Sequence, residues 1–168
     1  MIFLETQRLF LRNVEEKDAD TIFDYRNNEI CAKYQRGQVK TKIEIQNLVQ
    51  KRKNDKISAE KRSMLAVSLK NSDEMIGEIV VLPAEKTFSL GYTFSYKFHR
   101  KGYAFEAISA LMEFLHENYA DFEFICFCEK ENQASKNLLQ KLGYKYLGYS
   151  QKHKSEVFGK WLKTKIVL

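Results

Sequence analysis

The sequence predicts a mixed α/β (α+β) domain in which a mostly antiparallel central sheet of about seven strands carries helices on both faces. Segments typical of strands alternate with segments typical of amphipathic helices along most of the chain. Three strand-like segments follow one another in the middle of the chain, as in an antiparallel meander. A strand, a long helix and another strand come next, and such a unit gives two parallel neighbours joined by a right-handed crossover.

The N-terminal part of the chain predicts one strand and two helices. Residues 4–12, which contain the apolar run Leu9-Phe10-Leu11, are typical of a strand, and residues 16–27 place apolar side chains at helical spacing. Residues 28–40 predict a loop or a broken helical turn. Thr41 and Glu44 have the spacing of a capping box, which predicts that a second helix begins there.

The rest of the chain supplies most of the sheet and two further helices. The predicted strands cover residues 64–69, 75–82, 88–96, 122–128, 144–149 and 157–167. Two amphipathic stretches, residues 102–118 and 132–142, predict the helices that pack on this sheet. Gly143 stands where a helix commonly ends.

The length and composition fit one domain over residues 1–168, since the chain has 168 residues. No apolar run approaches the roughly 20 residues that span a bilayer, and the first residues lack the order of a signal peptide. The formal charge of +6 favours anionic partners, but it is scattered along the chain. We therefore expect a cytoplasmic protein with no membrane partner and no nucleic-acid partner.

The cysteines predict neither a disulfide framework nor a metal site. Cys31, Cys126 and Cys128 cannot all pair within one chain. Cys126 and Cys128 lie two apart in a predicted strand, so both side chains point to one face. A zinc site would need a second such pair, which the sequence lacks. We expect buried, reduced thiols and no bound metal.

The strongest functional signal is residues 99–104, His-Arg-Lys-Gly-Tyr-Ala, which join a predicted strand to the long helix. The first amides of a helix have no internal acceptor and carry the positive end of its dipole, so a diphosphate can bind there. Gly102 and Ala104 leave space for it, and Arg100 and Lys101 add positive charge. From these residues alone, a diphosphate site and a basic loop before an amphipathic helix are equally good interpretations.

The same segment resembles the acyl-coenzyme A-binding signature of the Gcn5-related N-acetyltransferases (GNAT). In that signature, glutamine or arginine, two variable residues, glycine, one variable residue, and glycine or alanine form the loop. Gly102 and Ala104 match the later positions, whereas His99 departs from the first. Residues 91–107 resemble the branch that contains the ribosomal-protein N-terminal acetyltransferases.

Two further stretches extend the resemblance over nearly the whole chain. Residues 131–144 are similar to the late helix of the family, which flanks the pantetheine of coenzyme A. Residues 5–12 and 16–19 are similar to its opening strand and helix. The resemblance implies an acetyltransferase that moves an acetyl group from acetyl-coenzyme A to a primary amine by direct attack in a ternary complex. A protein N-terminal α-amine is one candidate acceptor.

The resemblance also implies which residues bind coenzyme A. The central strands of the family separate, and a strand backbone pairs with the pantetheine amides in the gap. The loop amides hold the pyrophosphate, and two residues of the late helix approach the pantetheine arm, the thioester or the phosphates. The implied cofactor-binding residues are Phe94, Ser95, Tyr96, His99, Arg100, Lys101, Gly102, Tyr103, Ala104, Phe105, Asn132 and Ser135. Asn132 can equally be a helix N-cap.

The catalytic groups are less clear from the sequence. Many relatives carry a tyrosine four residues beyond the late-helix serine, where this chain has Leu139, so Ser135 is the implied proton donor. Relatives often carry a glutamate before the glycine-tyrosine pair of the third central strand, and residues 89–92 lack it. Glu78, on the preceding strand, is the nearest alternative base and Glu156, in the last hairpin, is another, although either could instead be a carboxylate in an ion pair. A strand amide of Phe94 or Ser95 is the implied oxyanion donor.

Several alternatives stay open at this point. The acceptor could be a small amine, or the chain could bind acyl-coenzyme A without turnover. The chain could act as a monomer or as a homodimer. The acceptor site is expected at the early helices and residues 31–40, where Tyr25, Tyr34 and Phe88 are candidates both for its lining and for the core.

Overall fold

The computed structural model describes residues 1–163, which form one eight-stranded sheet with five α-helices. The strands are β1 (Ile2–Glu5), β2 (Leu9–Asn13), β3 (Ser63–Leu69), β4 (Met75–Ala84), β5 (Thr87–Phe94), β6 (Glu123–Cys128), β7 (Lys145–Ser150) and β8 (Ser155–Lys160). The helices are α1 (Ala19–Arg26), α2 (Glu29–Ala32), α3 (Lys42–Arg52), α4 (Tyr103–Asn118) and α5 (Gln133–Lys141). Short 3₁₀ turns at Glu16–Asp18 and Tyr96–Phe98 complete the described elements.

The sheet has the order β1-β2-β3-β4-β5-β6-β8-β7. The pair β5–β6 is parallel, and the other neighbouring pairs are antiparallel. One apolar cluster packs α4 and α5 on one face, and a second packs α1, α2 and α3 on the other. The predicted fold class, a mixed sheet between two layers of helices, is confirmed. None of the helices described here combines the length and apolar character needed to cross a membrane.

The structure differs from the predicted elements at several boundaries. The predicted opening strand is a hairpin of β1 and β2, closed by a hydrogen bond from the Thr6 amide to the Leu9 carbonyl. Asn28 caps the short helix α2 within the predicted loop, by accepting from two amides of its first turn. The last predicted strand begins at Ser155 and ends at Lys160, and its residues 164–167 lie outside the described residues.

The predicted capping box of the second long helix is confirmed. Thr41 Oγ1 accepts a hydrogen bond from the Glu44 amide at 3.3 Å, and Glu44 Oε2 accepts from the Thr41 amide at 3.2 Å. These two bonds satisfy amides that the start of a helix leaves without an internal partner. They fix where α3 begins after the irregular segment that precedes it.

A buried arginine ties three segments together. Arg12 on β2 is 2% exposed and forms ion pairs with Asp18 at 2.8 Å and with Asp73 at 2.8 Å. Partial burial raises the pKa of the Asp73 carboxyl, but hydrogen bonds from Lys17, Arg12 and Ser68 outweigh it and hold that pKa well below its ordinary value of 3.8. The folded state therefore stabilises the ionised form of Asp73 relative to the protonated form.

We expect the substitution Asp73→Asn to lower the free energy of unfolding by about 1 kcal/mol at neutral pH, because solvent screens a partly exposed carboxylate. A lowered pKa in the folded state gives stability that is present above the ordinary value and is lost as the pH falls through the acidic range. The difference between the wild-type and variant Tm should therefore shrink between about pH 5 and pH 2. Thermal unfolding across this range measures it, and a difference that stays constant with pH would contradict this role of Asp73.

Candidate functional site

The parallel strands β5 and β6 are paired only where they begin. Their register consists of the pairs that Thr87 and Phe88 make with β6. Farther along, Cys126 on β6 still reaches across, since its Sγ donates to the carbonyl oxygen of Leu90 at 3.4 Å. Beyond this point the two strands enclose a gap that opens toward their C-terminal ends. The separation of the central strands that the family resemblance implied is therefore present.

The main-chain N–H and C=O groups of alternate β5 residues face this gap. Ser95, just after the strand, donates its amide to the carbonyl oxygen of Ile76 at 2.8 Å, so its N–H faces β4. Successive residues of a strand point their main-chain groups in opposite directions, so those of Phe94 and Tyr92 face the gap. The Tyr92 carbonyl oxygen accepts a hydrogen bond from Gln35 Nε2 at 3.1 Å, which agrees with this orientation.

This orientation separates the two amides expected to serve as oxyanion donors. The Ser95 amide is used within the sheet, and Ser95 Oγ accepts from the Lys97 amide at 3.4 Å as the cap of the 3₁₀ turn. The structure therefore favours the amide of Phe94 over that of Ser95. The predicted strand also does not extend to Tyr96, whose hydroxyl donates to Asp24 Oδ1 at 3.4 Å on the other face of the sheet.

The loop before α4 has a backbone that suits an anion. Arg100 and Gly102 adopt left-handed conformations, with φ values of 60° and 78°. Gly102 is the N-cap of α4, and it provides no side-chain hydrogen bond to the helix. The amides of Tyr103, Ala104 and Phe105 thus begin the helix without an intrahelical acceptor. These amides and the positive end of the helix dipole form a site that fits a diphosphate.

The cationic and imidazole side chains of this loop belong to residues that come directly before the same amides in the chain. Arg100, Lys101 and His99 are all exposed. His99 Nε2 lies 2.8 Å from the Phe94 carbonyl oxygen, so this side chain joins the loop to the end of β5. The departure of His99 from the family signature therefore coincides with a contact that fixes the loop beside the gap.

Sequence analysis missed Arg8, which supports the loop from the β1–β2 turn. Its guanidinium lies 4.3 Å from the centre of the Tyr103 ring, donates to the Lys101 carbonyl oxygen at 3.0 Å and pairs with Glu106 at 2.7 Å. Burial raises the pKa of the Glu106 carboxyl, but hydrogen bonds from Thr6 and Arg8 outweigh it and lower that pKa. Glu106 is thus an anchor between α4 and the opening hairpin.

The late helix brings the two predicted residues Asn132 and Ser135 to the gap. Asn132 is the N-cap of α5, and its Oδ1 accepts from the Ser135 amide at 3.2 Å. Ser135 Oγ lies 2.7 Å from the phenol oxygen of Tyr92, a contact that sequence analysis did not predict. Leu139, on the next turn, is 1% exposed and belongs to the core.

Glu78, the predicted base, lies in a buried ion pair. Its carboxylate accepts from Arg26 Nη2 at 2.6 Å and from the hydroxyl of Tyr25, and it is 1% exposed. Glu78 pairs in register with Thr93, the neighbour of Tyr92 on β5. Because neighbouring residues of a strand point to opposite faces, Glu78 lies on the opposite face of the sheet from the Tyr92 ring. This placement favours a structural role.

The alternative carboxylate, Glu156, lies on β8 opposite Cys128 of β6. It pairs with Lys136 Nζ at 3.0 Å, and its side chain is 13% exposed.

Two of the candidates for the acceptor site also have structural positions, because Tyr25 and Phe88 are 0% exposed. Both therefore belong to the core.

Residues 33–40, here called the strap, cross the mouth of the gap. On one side, Gln35 and Gln38 donate to the Tyr92 carbonyl oxygen and to Thr93 Oγ1, both at 3.1 Å. On the other side, the Tyr34 hydroxyl donates to the Glu131 carbonyl oxygen at 3.1 Å. Arg36 pairs with Glu129 at 3.0 Å and donates to two carbonyl oxygens of the β7–β8 hairpin. The strap thus joins β5 to the loop that follows β6.

Comparison with known proteins shows which family the chain belongs to. A family model described as an acetyltransferase (GNAT) domain matches residues 8–145 of the chain. The chain belongs to the GNAT acetyltransferase family. As a member of this family, it is an acetyl-coenzyme A-dependent N-acyltransferase.

Individual relatives agree with this assignment. An uncharacterized N-acetyltransferase of Bacillus subtilis, YnaD, is 31% identical over 151 residues, which is 89% of this chain and 86% of that protein. A GNAT-family acetyltransferase structure from Bacillus anthracis is 26% identical, covers 95% of this chain and 96% of its own, and gives a TM-score of 0.80. The ribosomal L7/L12 α-N-protein acetyltransferase RimL, solved with coenzyme A, is 18% identical over 95% of this chain and 97% of its own, with a TM-score of 0.78.

We expect Gly102→Leu to weaken coenzyme A binding by at least about 10-fold, because a leucine strains a left-handed residue and adds bulk at the predicted diphosphate site. Isothermal calorimetry with coenzyme A measures the Kd. Gly143→Leu is the matched control, since Gly143 also has a positive φ, at 89°, but lies after α5. Equal affinity in the wild type and in the folded Gly102 variant would exclude the α4 loop as the diphosphate site.

Proposed function

We propose that this enzyme acetylates a primary amine, with a protein N-terminal α-amine as the preferred class, by direct attack within a ternary complex. The observation that carries the proposal is the row of β5 main-chain groups that face the gap at Tyr92 and Phe94. The pantetheine amides of acetyl-coenzyme A can pair with such groups as an added strand would, while the amine approaches the thioester from the strap side. Holding donor and acceptor together in this way lowers the barrier by up to about 7–11 kcal/mol.

The two ends of the gap have different chemistry, which supports separate sites for donor and acceptor. The α4 loop is basic and rich in free amides, as a diphosphate requires. Where the strap contacts Glu129 and Glu131, there is a cavity of about 390 Å³. Its lining residues are Glu129, Glu131, Glu156, Lys130, Lys154, Tyr146 and Tyr149. Carboxylates and lysines line this cavity together, and two of the carboxylates are already paired, Glu129 with Arg36 and Glu156 with Lys136.

The residues around the gap can be assigned to the steps of the transfer. Bound acetyl-coenzyme A supplies an acyl thioester, from which a thiolate leaves. We assign to the Phe94 amide the stabilisation of the oxyanion, which is the charge that develops during attack. We assign to Ser135 Oγ, on the other wall of the gap, a hydrogen bond to the leaving thiolate. The proton that the attacking amine loses passes to water, and the thiolate takes up a proton from water. We also propose that residues 1–168 act as one catalytic domain. The free, buried cysteines of the described residues support a reducing compartment such as the cytoplasm.

The acceptor class can be tested by thiol release from acetyl-coenzyme A with a panel of amines. We expect turnover with short peptides that carry a free N-terminus, and none with the same peptides after N-terminal blocking. Polyamines and aminoglycosides test the alternative of a small-molecule acceptor. Turnover with the small amines alone would contradict the proposed acceptor. Tight acetyl-coenzyme A binding without turnover of any amine would instead favour a non-catalytic binding module.

The prediction that Glu78 is the general base remains to be tested, and its buried ion pair supports a structural role instead. The substitution Glu78→Gln leaves Arg26 buried without its counter-charge, which costs about 3–5 kcal/mol. We expect a lower Tm, with kcat per folded molecule and its pH profile unchanged. The matched control is Glu117→Gln, on the exposed side of α4. Loss of kcat together with a shifted acidic limb of the pH profile would instead identify Glu78 as the base.

A further inference from the structure

Tyr92 and Ser135 form a hydrogen bond that joins the two walls of the gap. Their side-chain oxygens lie 2.7 Å apart, and either can be the donor. Tyr92 belongs to β5, whereas Ser135 lies in the first turn of α5, which follows β6. Both residues are half-buried. The contact therefore fixes a side chain of one wall against the opposite wall.

The hydroxyl of Ser135 is not needed to cap its own helix. Asn132 caps α5 by accepting from the Ser135 amide, which leaves the serine oxygen available for other contacts. A serine within a helix otherwise tends to hydrogen-bond a carbonyl of the preceding turn. Tyr92 offers a competing partner on the gap side. Leu139, on the next turn of α5, is a buried apolar residue that offers no hydroxyl.

The surroundings also keep the phenol of Tyr92 protonated. Burial raises the pKa of Tyr92 well above its ordinary value of 10.0. A neutral phenol can donate its hydrogen to Ser135 Oγ, and the serine hydrogen can then point to the Cys128 thiol, the other hydrogen-bond neighbour of Ser135, or into the gap. Hydrogen bonds in such a chain polarise one another, so the serine becomes a better donor.

We propose that Tyr92 is a positioning residue that holds the hydroxyl of Ser135 toward the sulfur of the thioester donor. This inference rests on the proposed function, in which Ser135 donates to the leaving thiolate. Tyr92 acts through Ser135 and has no direct contact with the reacting atoms in this role. The effect of removing its hydroxyl must therefore depend on whether Ser135 is present.

Steady-state kinetics of Tyr92→Phe test the role of the hydroxyl. We expect kcat to fall about 3- to 10-fold, the factor that corresponds to one neutral hydrogen bond, with the Kd for acetyl-coenzyme A unchanged. In a Ser135→Ala background, Tyr92→Phe should cause no further loss, because the hydroxyl that Tyr92 positions is gone. An equal loss in both backgrounds, or no loss in either, overturns the inference.

Tyr144→Phe is the matched control, because it removes the hydroxyl of another buried tyrosine in the same apolar cluster. Its kcat should match that of the wild type. The hydrogen bond itself can be measured without turnover, by thermal unfolding of the two single variants and the double variant. The Tm losses of Tyr92→Phe and Ser135→Ala should sum to more than the loss of the double variant. Strictly additive losses contradict the contact.

A crystal structure with coenzyme A separates failure of this inference from failure of the proposed function. The inference predicts that Ser135 Oγ lies within hydrogen-bond distance of both the Tyr92 oxygen and the sulfur of coenzyme A. A wild-type enzyme that turns over no amine contradicts the proposed function. A sulfur that contacts neither hydroxyl overturns the role of Tyr92, whatever the acceptor is.

Discussion

The separation of β5 from β6 is the constraint on which the rest of the site depends. Two parallel strands inside a sheet normally satisfy each other's main-chain groups, and buried groups without a partner are costly. Here the carbonyl oxygens that face the gap accept from side chains instead: Leu90 from Cys126, Tyr92 from Gln35, and Phe94 from the thiol of Cys31. These side chains stabilise the opening. A bound pantetheine or peptide could replace them by pairing with the same main-chain groups.

The gap also explains how remote segments of the chain become one site. The proposed donor end is built from the β5–α4 loop and is supported by Arg8 of the opening hairpin, which Glu106 holds in place. The proposed acceptor end is covered by the strap, whose polar side chains reach both walls. Since Tyr92 lies between these ends and bonds Ser135, a single β5 residue contacts the strap through its main chain and α5 through its side chain.

Local sequence patterns predicted the parts of the site that local forces determine. Gly102 before an amphipathic helix predicts amides without an internal acceptor, whatever the tertiary structure. Thr41 with Glu44 likewise predicts a helix start. Contacts between distant residues were not predictable in this way: Tyr92 and Ser135 are 43 residues apart, and Arg8 and Glu106 are 98 apart. The strand-like pattern of β5 gave no sign that the strand ends before Ser95, which caps a turn. Glu78 could not be placed, because its partners Tyr25 and Arg26 lie on a helix far back in the chain.

Residue-resolved amide hydrogen exchange, with and without coenzyme A, tests most directly whether the gap and the α4 loop hold the donor. Amides that acquire an acceptor exchange more slowly, so slower exchange is predicted at Phe94 and at Tyr103, Ala104 and Phe105 when coenzyme A is bound. The Ser95 amide, which already donates to Ile76, should change little. Slower exchange confined to other segments, with these amides unaffected, would contradict the account.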